Sequence, residues 1–257
     1  MSDAGSLVEL ELRDSVAYIT LNSPPLNILS AAMMGGICDA AEKIAADDTL
    51  CAVAFRANGK AFSAGADVEE HKPEQAAIMI EAFSRMFTLL GRLEIPIVMA
   101  VDGAALGGGF ELTMMADVLL ASERSKFGQP EIRIGFFAPL GVAYLPQLVG
   151  PQRAMEITCG GRAYSAEQMK EFGFVSYVVG HEDLEERLEK TLKDFRAASP
   201  LVMRLNVRTL RRVMGLPMEE ARKEAEKVFL DELMVTEDVQ EGIASFYEKR
   251  KPEWKNR

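Results

Sequence analysis

Two glutamates in apolar surroundings are the side chains best suited to chemistry. Glu111 lies between Phe110 and Leu112 at the start of a predicted helix, and Glu131 follows the run FGQP and precedes Ile132. A carboxylate in an apolar setting either pairs with a cation or has its pKa raised, and two of them can divide general base and general acid work. Taken singly, either position is also typical of a carboxylate that faces water at a helix start or a turn.

Two glycine-rich turns could supply the second half of a site. Residues 63–67 (SAGAD) leave a predicted strand and enter a helix, and residues 107–109 (GGG) do the same after the next long strand. The first N–H groups of a helix have no intrahelical partner. Two such donors, brought together at adjacent strand ends, would form an oxyanion hole. The alternative is that the glycines only permit tight turns.

Other catalytic signatures are missing from the sequence. There is no GxxxxGK[ST], and residues 103–109 do not spell GxGxxG, so P-loop and dinucleotide sites are disfavoured. The two histidines, His71 and His181, lie in no GxSxG, HExxH or HxE…CxxC context, which disfavours Ser-His hydrolases, zinc proteases and zinc deaminases. Three cysteines without a CxxC pair predict neither a disulfide framework nor a metal site.

Composition places limits on the class of protein. A chain of 257 residues, 48% hydrophobic and 26% charged, fits one large α/β domain or a core with an appendage. The net charge of −10 disfavours a nucleic-acid partner, because such a surface does not attract phosphates. No apolar run is long enough for a membrane span and the first residues do not resemble a signal peptide, so we expect a cytoplasmic protein without a membrane partner.

The elements that position these residues alternate along the chain. An N-terminal hairpin is predicted from residues 8–12 and 16–21, and buried strands from residues 51–55, 97–101 and 118–121. Strand, glycine turn and helix follow one another repeatedly. This order favours right-handed crossovers and a mainly parallel sheet.

Helical patterns account for the remaining core. Ser30 is a predicted N-cap, although Gly35 and Gly36 should weaken the helix that follows it by about 1 kcal/mol each. A later helix carries a continuous apolar stripe formed by Met79, Phe83, Met86, Phe87 and Leu90.

The character of the chain changes towards its end. A capping-box pattern begins at Ser165, a further strand is predicted within residues 174–179, and the chain is helical and highly charged from Asp183 onward. We therefore divide it into an α/β core, residues 1–195, and a helical region, residues 196–257.

Three blocks resemble the enoyl-CoA hydratase/isomerase (crotonase) family: AFSAGAD at 61–67, LGGGFEL at 106–112 and FGQPE at 127–131. The similarity extends over residues 16–251. It implies a crotonase-like spiral core of ββα repeats that holds the acyl-CoA site, and a C-terminal trimerisation region, with homotrimers that often pair into hexamers. It also implies an acyl-CoA thioester substrate and no separate cofactor, since coenzyme A enters as part of the substrate.

The resemblance assigns roles to the candidate residues. The backbone N–H groups of Ala66 and Gly108 would hold the thioester oxygen, while Glu111 and Glu131 would hold and deprotonate a water molecule and deliver a proton. Family members that isomerise often lack one of the two glutamates, so hydration is favoured. The neighbouring residues expected to bind the acyl group or coenzyme A are Ser63, Ala64, Gly65, Asp67 and Gly107.

Two segments depart from the pattern of straight-chain hydratases. Residues 134–146 (IGFFAPLGVAYLP) replace the usual Pro-Gly-rich turn that ends in an arginine, and residues 68–75 (VEEHKPEQ) lack the common basic residue at position 69. Both segments resemble the branch of the family that hydrates cyclohexa-1,5-diene-1-carbonyl-CoA in anaerobic benzoyl-CoA degradation. We expect this substrate; the alternatives are a general short-chain enoyl-CoA hydratase and an enoyl-CoA isomerase.

Several residues near the site admit two interpretations. A flat ring needs a wide apolar wall, which Phe136, Phe137, Leu140 and Tyr144 could supply, but the same residues could be helix-packing core. His71 either lines the acyl pocket or caps a loop.

Four arginines at helical spacing admit three interpretations. They could bind RNA, as some relatives of this family do, meet the phosphates of coenzyme A, or form a solvated helix face paired with nearby glutamates, which we favour. These residues are Arg204, Arg208, Arg211 and Arg212.

Overall fold

The strands belong to two sheets in a computed structural model that describes residues 6–257. In chain order they are β1 (Val8–Arg13), β2 (Val16–Leu21), β3 (Ala52–Ala57), β4 (Ala61–Ser63), β5 (Ile97–Val101), β6 (Ala104–Leu106), β7 (Val118–Ser122), β8 (Lys126–Gly128), β9 (Ala163–Ser165) and β10 (Tyr177–Val179).

Helices cover both sheets and make up the end of the chain. In chain order they are α1 (Ala31–Ala45), α2 (Pro73–Gly91), α3 (Gly108–Thr113), α4 (Pro139–Val149), α5 (Pro151–Gly160), α6 (Ala166–Glu171), α7 (Leu184–Arg196), α8 (Pro200–Val213), α9 (Met218–Val228) and α10 (Glu237–Glu248). Short 3-10 helices span Val68–His71, Glu131–Ile134 and His181–Asp183, and a π-helical turn spans Phe229–Leu233.

The larger sheet has the strand order β1-β2-β3-β5-β7-β10. β1 and β2 form an antiparallel hairpin, and every following pair in the sheet is parallel. All six residues of β2 and all five of β5 are buried, as expected for a sheet covered on both faces. The predicted parallel sheet is confirmed, although the strand expected within residues 174–179 is only three residues long.

The second sheet has four strands, three of which lead directly into segments of the candidate site. Its order is β4-β6-β8-β9, with β9 antiparallel to its neighbour. The sequence did not predict this sheet, because its strands of three residues are too short to show a hydrophobic period. β4, β6 and β8 end directly before the first glycine turn, the second glycine turn and the segment of Glu131.

The predicted helical stripes form much of the core. Ser30 caps α1 by accepting a hydrogen bond from the Met33 amide at 3.3 Å, and the five apolar residues predicted for α2 are its buried residues. A Cβ atom on Gly36 would lie 3.0 Å from Val8, whereas one on Gly35 would meet no atom within 4 Å. Close packing therefore explains only the second of the two glycines.

The last part of the chain is helical, as the sequence predicted. Ser165 and Gln168 form the expected capping box at the start of α6, and after β10 the helices α7 to α10 follow without another strand among the described residues. None of the helices in residues 6–257 is both long and apolar enough to cross a bilayer. Several large apolar side chains on and after α9 are exposed: Phe229, Leu230, Met234, Val235, Ile243, Phe246 and Tyr247.

Candidate active site

The two glycine turns lie against each other. A Cβ atom added to Gly65 would lie 2.9 Å from the carbonyl oxygen of Leu106 and 3.5 Å from the amide nitrogen of Gly108. One added to Gly108 would lie 3.3 Å from the amide nitrogen of Ala66. The structure thus brings together the two amides that the sequence paired, because β4 and β6 are adjacent parallel strands that end at the same edge.

Close packing and backbone strain explain the glycines of these turns. Gly65 and Gly107 have φ angles of +107° and +53°, which residues with a side chain rarely adopt. A Cβ atom on Gly109 would lie 2.4 Å from the carbonyl oxygen of Ser63, so the start of α3 rests directly on the end of β4. The glycines therefore permit tight turns, and this close packing allows the amides of Ala66 and Gly108 to converge.

The other residues of the first turn shape it through hydrogen bonds. The Ser63 hydroxyl accepts from the Gly65 amide at 3.2 Å, and the Ala64 amide donates to the carbonyl of Leu26 at 2.9 Å. The Asp67 carboxylate accepts from the Glu69 amide at 2.9 Å and so begins the 3-10 helix Val68–His71.

Glu111 is enclosed in the first turn of α3. Its side chain is only 5% exposed, and its Oε1 accepts a hydrogen bond from the Gly141 amide at 2.7 Å. Burial raises the pKa of Glu111 to about 7; the Gly141 amide opposes this shift and the negative charge of Glu131 adds to it. The position does not face water, as a lone helix-start carboxylate would.

Glu131 begins the 3-10 helix after β8 and reaches the second turn. A Cβ atom on Gly107 would lie 2.7 Å from its Oε1, and its Oε2 is buried without a hydrogen-bond partner in the described part of the chain. Burial raises the pKa of Glu131, while the nearby His71 acts in the opposite direction. Both carboxylates therefore lie beside the second glycine turn, at its two ends.

The segment predicted to form an apolar wall is partly exposed. Phe136 and Phe137 are 39% and 66% exposed, whereas Leu140 and Tyr144 pack against the core, Tyr144 edge-on to Phe87. His71 lies against Phe136, with ring centroids 5.2 Å apart, and its Nδ1 is 2.9 Å from the Asp67 carbonyl oxygen. His71 thus caps its own loop and also contacts the segment that follows Glu131.

Sequence reasoning missed two residues of this region. Gly141 holds Glu111, although it lies 30 positions away in the chain. Gln129 is 2% exposed, a Cβ atom on Gly141 would lie 2.7 Å from its Nε2, and neither of its amide atoms has a partner among residues 6–257. The signal for Gln129 was its place in the FGQPE block, between the strand and Glu131; no local signal marked Gly141.

The described residues do not form a metal site. Within residues 6–257, no three His, Cys, Asp or Glu side chains lie close enough together to hold a metal ion. Chemically, this region offers the amides of Ala66 and Gly108 as main-chain donors, with the buried carboxylate of Glu111 and the partly buried carboxylate of Glu131 beside the second glycine turn.

The α/β fold, the two converging glycine turns and the neighbouring glutamates Glu111 and Glu131 agree with the arrangement that the three sequence blocks predicted. The sequence model of the enoyl-CoA hydratase/isomerase family matches residues 11–257. The chain belongs to this family. A solved enoyl-CoA hydratase from Bacillus anthracis superposes with a TM-score of 0.93 at 27% identity, over 98% of this chain and 100% of that one, which confirms the crotonase-like fold.

Curated relatives cover nearly the whole length of the protein. A probable enoyl-CoA hydratase of Mycobacterium tuberculosis is 35% identical over 254 residues, 98% of each chain. A cyclohexa-1,5-dienecarbonyl-CoA hydratase of Thauera aromatica is 33% identical over 260 residues, the full length of both. The protein is therefore an enzyme, a hydro-lyase as predicted, and an acyl-CoA thioester substrate is consistent with the family.

Proposed function

We propose that this enzyme adds water to the conjugated double bond of an acyl-CoA thioester, and that its substrate is cyclohexa-1,5-diene-1-carbonyl-CoA. The observation that carries the hydration is the pair formed by the buried Glu111 and the partly buried Glu131, whose Oε2 has no partner among residues 6–257, placed beside the converging amides of Ala66 and Gly108.

The amides and the carboxylates divide the reaction between them. The thioester oxygen accepts hydrogen bonds from Ala66 and Gly108, and such donors are worth roughly 3 kcal/mol each as enolate charge develops. Glu111 and Glu131 hold a water molecule, deprotonate it and deliver a proton, each contributing about 10²–10⁴-fold. A pKa of about 7 suits Glu111 to proton transfer near neutrality. Ser63, Gly65 and Gly107 shape the turns that would hold the acyl group.

The proposal of a cyclic substrate is supported by the segment after Glu131 and by one relative. Residues 134–146 are apolar and carry the partly exposed Phe136 and Phe137, which suits a flat ring. The Thauera enzyme, similar over its full length, is named for this substrate. Water would add with its hydroxyl on the β carbon and its hydrogen at the far end of the diene.

A second candidate substrate is a straight-chain 2-enoyl-CoA. The Mycobacterium relative is as similar as the Thauera one and is named a probable enoyl-CoA hydratase. Offering crotonyl-CoA and the cyclic dienoyl-CoA side by side separates the two. We expect the higher kcat/KM with the ring; a clear preference for crotonyl-CoA would overturn the cyclic assignment and leave hydration standing.

Isomerisation of an enoyl-CoA is the remaining alternative. The presence of both glutamates argues against it. In water labelled with ¹⁸O, a hydratase gives a hydroxyacyl product that carries the label, whereas an isomerase gives an unlabelled enoyl product. Detection of the isomer alone would contradict the proposal.

We further propose that the protein assembles as a trimer or a hexamer and that residues 196–257 form its oligomerisation region, with residues 1–195 as the catalytic core. The exposed apolar side chains that follow α9, such as Phe246 at 79% exposure, support this, since large exposed apolar patches mark protein–protein interfaces. Light scattering coupled to size-exclusion chromatography should give three or six times 28.3 kDa. A monomer would contradict it.

The remaining expectations complete the proposal: a cytoplasmic enzyme with no cofactor of its own and no nucleic-acid partner. The four arginines of α8 are engaged within the chain, which supports the paired helix face over RNA binding. Arg208 pairs with Glu232, Arg211 with Asp117 and Arg212 with Glu224, while Arg204 contacts the Asp48 carbonyl and Asn256. Tight, steeply salt-dependent RNA binding would contradict this.

A further inference from the structure

The carbonyl group of Gly65, in the first glycine turn, is held by an earlier segment of the chain. The Leu29 amide donates to the Gly65 carbonyl oxygen at 2.9 Å, and residues 29 and 66 form an isolated parallel β-bridge. Leu29 is completely buried, so water does not compete for this hydrogen bond. The end of the segment formed by residues 22–29 is therefore fixed against the first glycine turn.

This contact orients the amide of Ala66. The Gly65 carbonyl and the Ala66 N–H belong to one peptide unit, which is planar and trans, so the two groups point in opposite directions. A carbonyl that points towards Leu29 therefore directs the N–H away from it. The Ala66 nitrogen lies beside the second glycine turn, since a Cβ atom on Gly108 would be 3.3 Å from it.

The two proposed oxyanion donors differ in what orients them. Gly108 begins α3, and the carbonyl of the peptide unit that contains its N–H, that of Gly107, accepts from the Glu111 amide at 2.9 Å within the same helix. Ala66 belongs to no helix. The direction of its N–H therefore depends on the Leu29 amide, whereas that of Gly108 follows from local helix geometry.

Asn27 holds residues 22–29 in the shape that this contact needs. Its side chain is completely buried; Oδ1 accepts from the Ser23 amide at 2.8 Å, and Nδ2 donates to the carbonyl oxygens of Asn58 and Ala61 at 2.8 and 2.9 Å. Its φ of +48° lies in the left-handed region, which asparagine tolerates better than most residues. The bond to Ala61 ties the segment to the start of β4, the strand that leads into the first glycine turn.

We propose that Asn27 and the Leu29 amide direct the Ala66 N–H at the thioester oxygen, which makes Asn27 a positioning residue of the reaction. The inference rests on the proposed hydratase function, in which Ala66 is one of two oxyanion donors. A hydrogen bond weakens steeply when its donor is misdirected, and loss of one oxyanion donor lowers kcat by about 10²–10³-fold. Rotation of a single peptide plane would therefore remove half of the oxyanion hole.

Replacement of the Leu29 amide by an ester tests the contact without changing a side chain. A synthetic peptide of residues 1–37 with leucic acid at position 29 is joined to recombinant residues 38–257 at the natural Cys38, and the full chain is refolded. The ester has no N–H to donate to Gly65. We expect kcat/KM to fall about 10–100-fold relative to the all-amide ligated protein, mainly through kcat, because oxyanion donors act on the transition state.

The matched control is the same ester at Ser30. The Ser30 amide donates to the Ile28 carbonyl oxygen at 2.9 Å, so this ester removes one hydrogen bond from the adjacent position and none from Gly65. It should keep the kcat and KM of the all-amide ligated protein.

Asn27→Gly tests the role of the side chain. Glycine accepts the left-handed φ but makes none of the three hydrogen bonds. We expect kcat/KM to fall about 5–50-fold, again mainly through kcat, as a small displacement of catalytic groups does. The control is Asn22→Gly in the same segment: the Asn22 side chain bonds to Glu9 at 2.7 Å and to the Asn58 side chain at 3.1 Å, and it should be dispensable for activity. Wild-type kcat/KM in Asn27→Gly would remove Asn27 from the inference.

A measurement without turnover separates this inference from the proposed hydration. Butyryl-CoA labelled with ¹³C at the thioester carbonyl has no double bond to hydrate, and hydrogen bonds to its oxygen lower the infrared C=O stretching frequency. We expect the Leu29 ester to lose about half of the lowering that the all-amide protein produces, because one of two donors is misdirected. The Ser30 ester should lose none.

The outcomes distinguish the two proposals. An unchanged frequency in the Leu29 ester, or equal losses in the Leu29 and Ser30 esters, would overturn the inference. If the frequency moves as expected while the wild type hydrates no enoyl-CoA, the hydratase proposal fails and the positioning of Ala66 stands. If hydration is observed and the frequency stays, only the inference fails.

Discussion

Two carboxylate clusters of this enzyme, each with one histidine, differ in how their charges are matched. Asp102, at the end of β5, accepts from Ser122 Oγ and from Arg124 Nε, each at 2.7 Å, and lies near His181. The second cluster contains Glu111 and Glu131. Glu111 accepts one hydrogen bond, from the Gly141 amide, and the histidine of this cluster is His71.

The difference explains why the pKa of one carboxyl group is lowered and that of the other is raised. Partial burial alone would raise the pKa of Asp102, but the hydrogen bonds from Arg124 and Ser122 hold it below its ordinary value. Burial of Glu111 meets no such opposition from a cation, so its pKa rises to about 7. The Asp102 cluster therefore stabilises the fold at neutral pH, and the glutamate pair can exchange protons there.

The largest effect is expected when either glutamate of the pair is replaced by an uncharged residue. Glu111→Gln or Glu131→Gln should lower kcat by at least about 100-fold, because each removes a proton-transfer group and leaves the shape of the site. Steady-state kinetics with the preferred substrate measures this, with circular dichroism to show that the fold persists. Near-normal turnover in either variant would remove that residue from the mechanism.

A second test displaces the amides without touching a carboxylate. Gly109→Ala places a Cβ atom 2.4 Å from the Ser63 carbonyl oxygen, so the two turns must separate. We expect kcat/KM to fall about 10–100-fold, as a small misplacement of oxyanion donors does.

The control for that substitution is another glycine. A Cβ atom on Gly35 would meet no atom within 4 Å, so Gly35→Ala should leave kcat/KM unchanged and increase the free energy of unfolding in urea by about 0.5–1 kcal/mol. Wild-type activity in Gly109→Ala would show that the convergence of the turns does not matter.

The raised pKa of Glu111 should also make the free energy of unfolding depend on pH. Glu111 has a pKa of about 7 in the fold and an ordinary value of 4.5 when unfolded, so folding binds a proton between these values. Stability is therefore lost as the pH rises from 4.5 through 7. Glu111→Gln, which still accepts from Gly141, should exceed the wild type in unfolding free energy by about 2–3 kcal/mol at pH 8. Near pH 4.5 the difference should vanish; a constant difference at both pH values would contradict the elevated pKa.

A smaller effect than that of the glutamate substitutions is expected at the Asp102 cluster. Asp102→Asn removes the charge that Arg124 and His181 face, and it should cost about 1–2 kcal/mol of stability at neutral pH. The activity should not change, since Asp102 lies outside the glutamate site. Urea unfolding and the hydration assay together measure this. A large loss of kcat with little loss of stability would mean that the two clusters are coupled.

Local patterns predicted the parts of the fold that depend on neighbouring residues in the chain. The Ser30 cap, the α2 stripe from Met79 to Leu90 and the Ser165 capping box each lie within a few turns of helix, and the structure confirms them. The small sheet escaped prediction because its strands are three residues long and are defined by their partners.

The candidate site shows the same limit. Pattern and resemblance singled out Glu111, but its burial depends on Gly141 in α4. The contact of His71 with Phe136 likewise joins two loops that lie far apart in the sequence. Contacts of this kind depend on tertiary packing, which no single window of residues encodes.

The close packing of Gly109 against Ser63 has a consequence for protein engineering by recombination. The two residues come from different strand–helix units, yet the space between them admits no extra carbon atom. Consider a chimera that takes residue 63 from one parent and residue 109 from another. It would tolerate a larger side chain at position 63 only if the backbone at position 109 also shifted. Crossover points between these positions should therefore yield inactive hybrids more often than crossovers placed after β7.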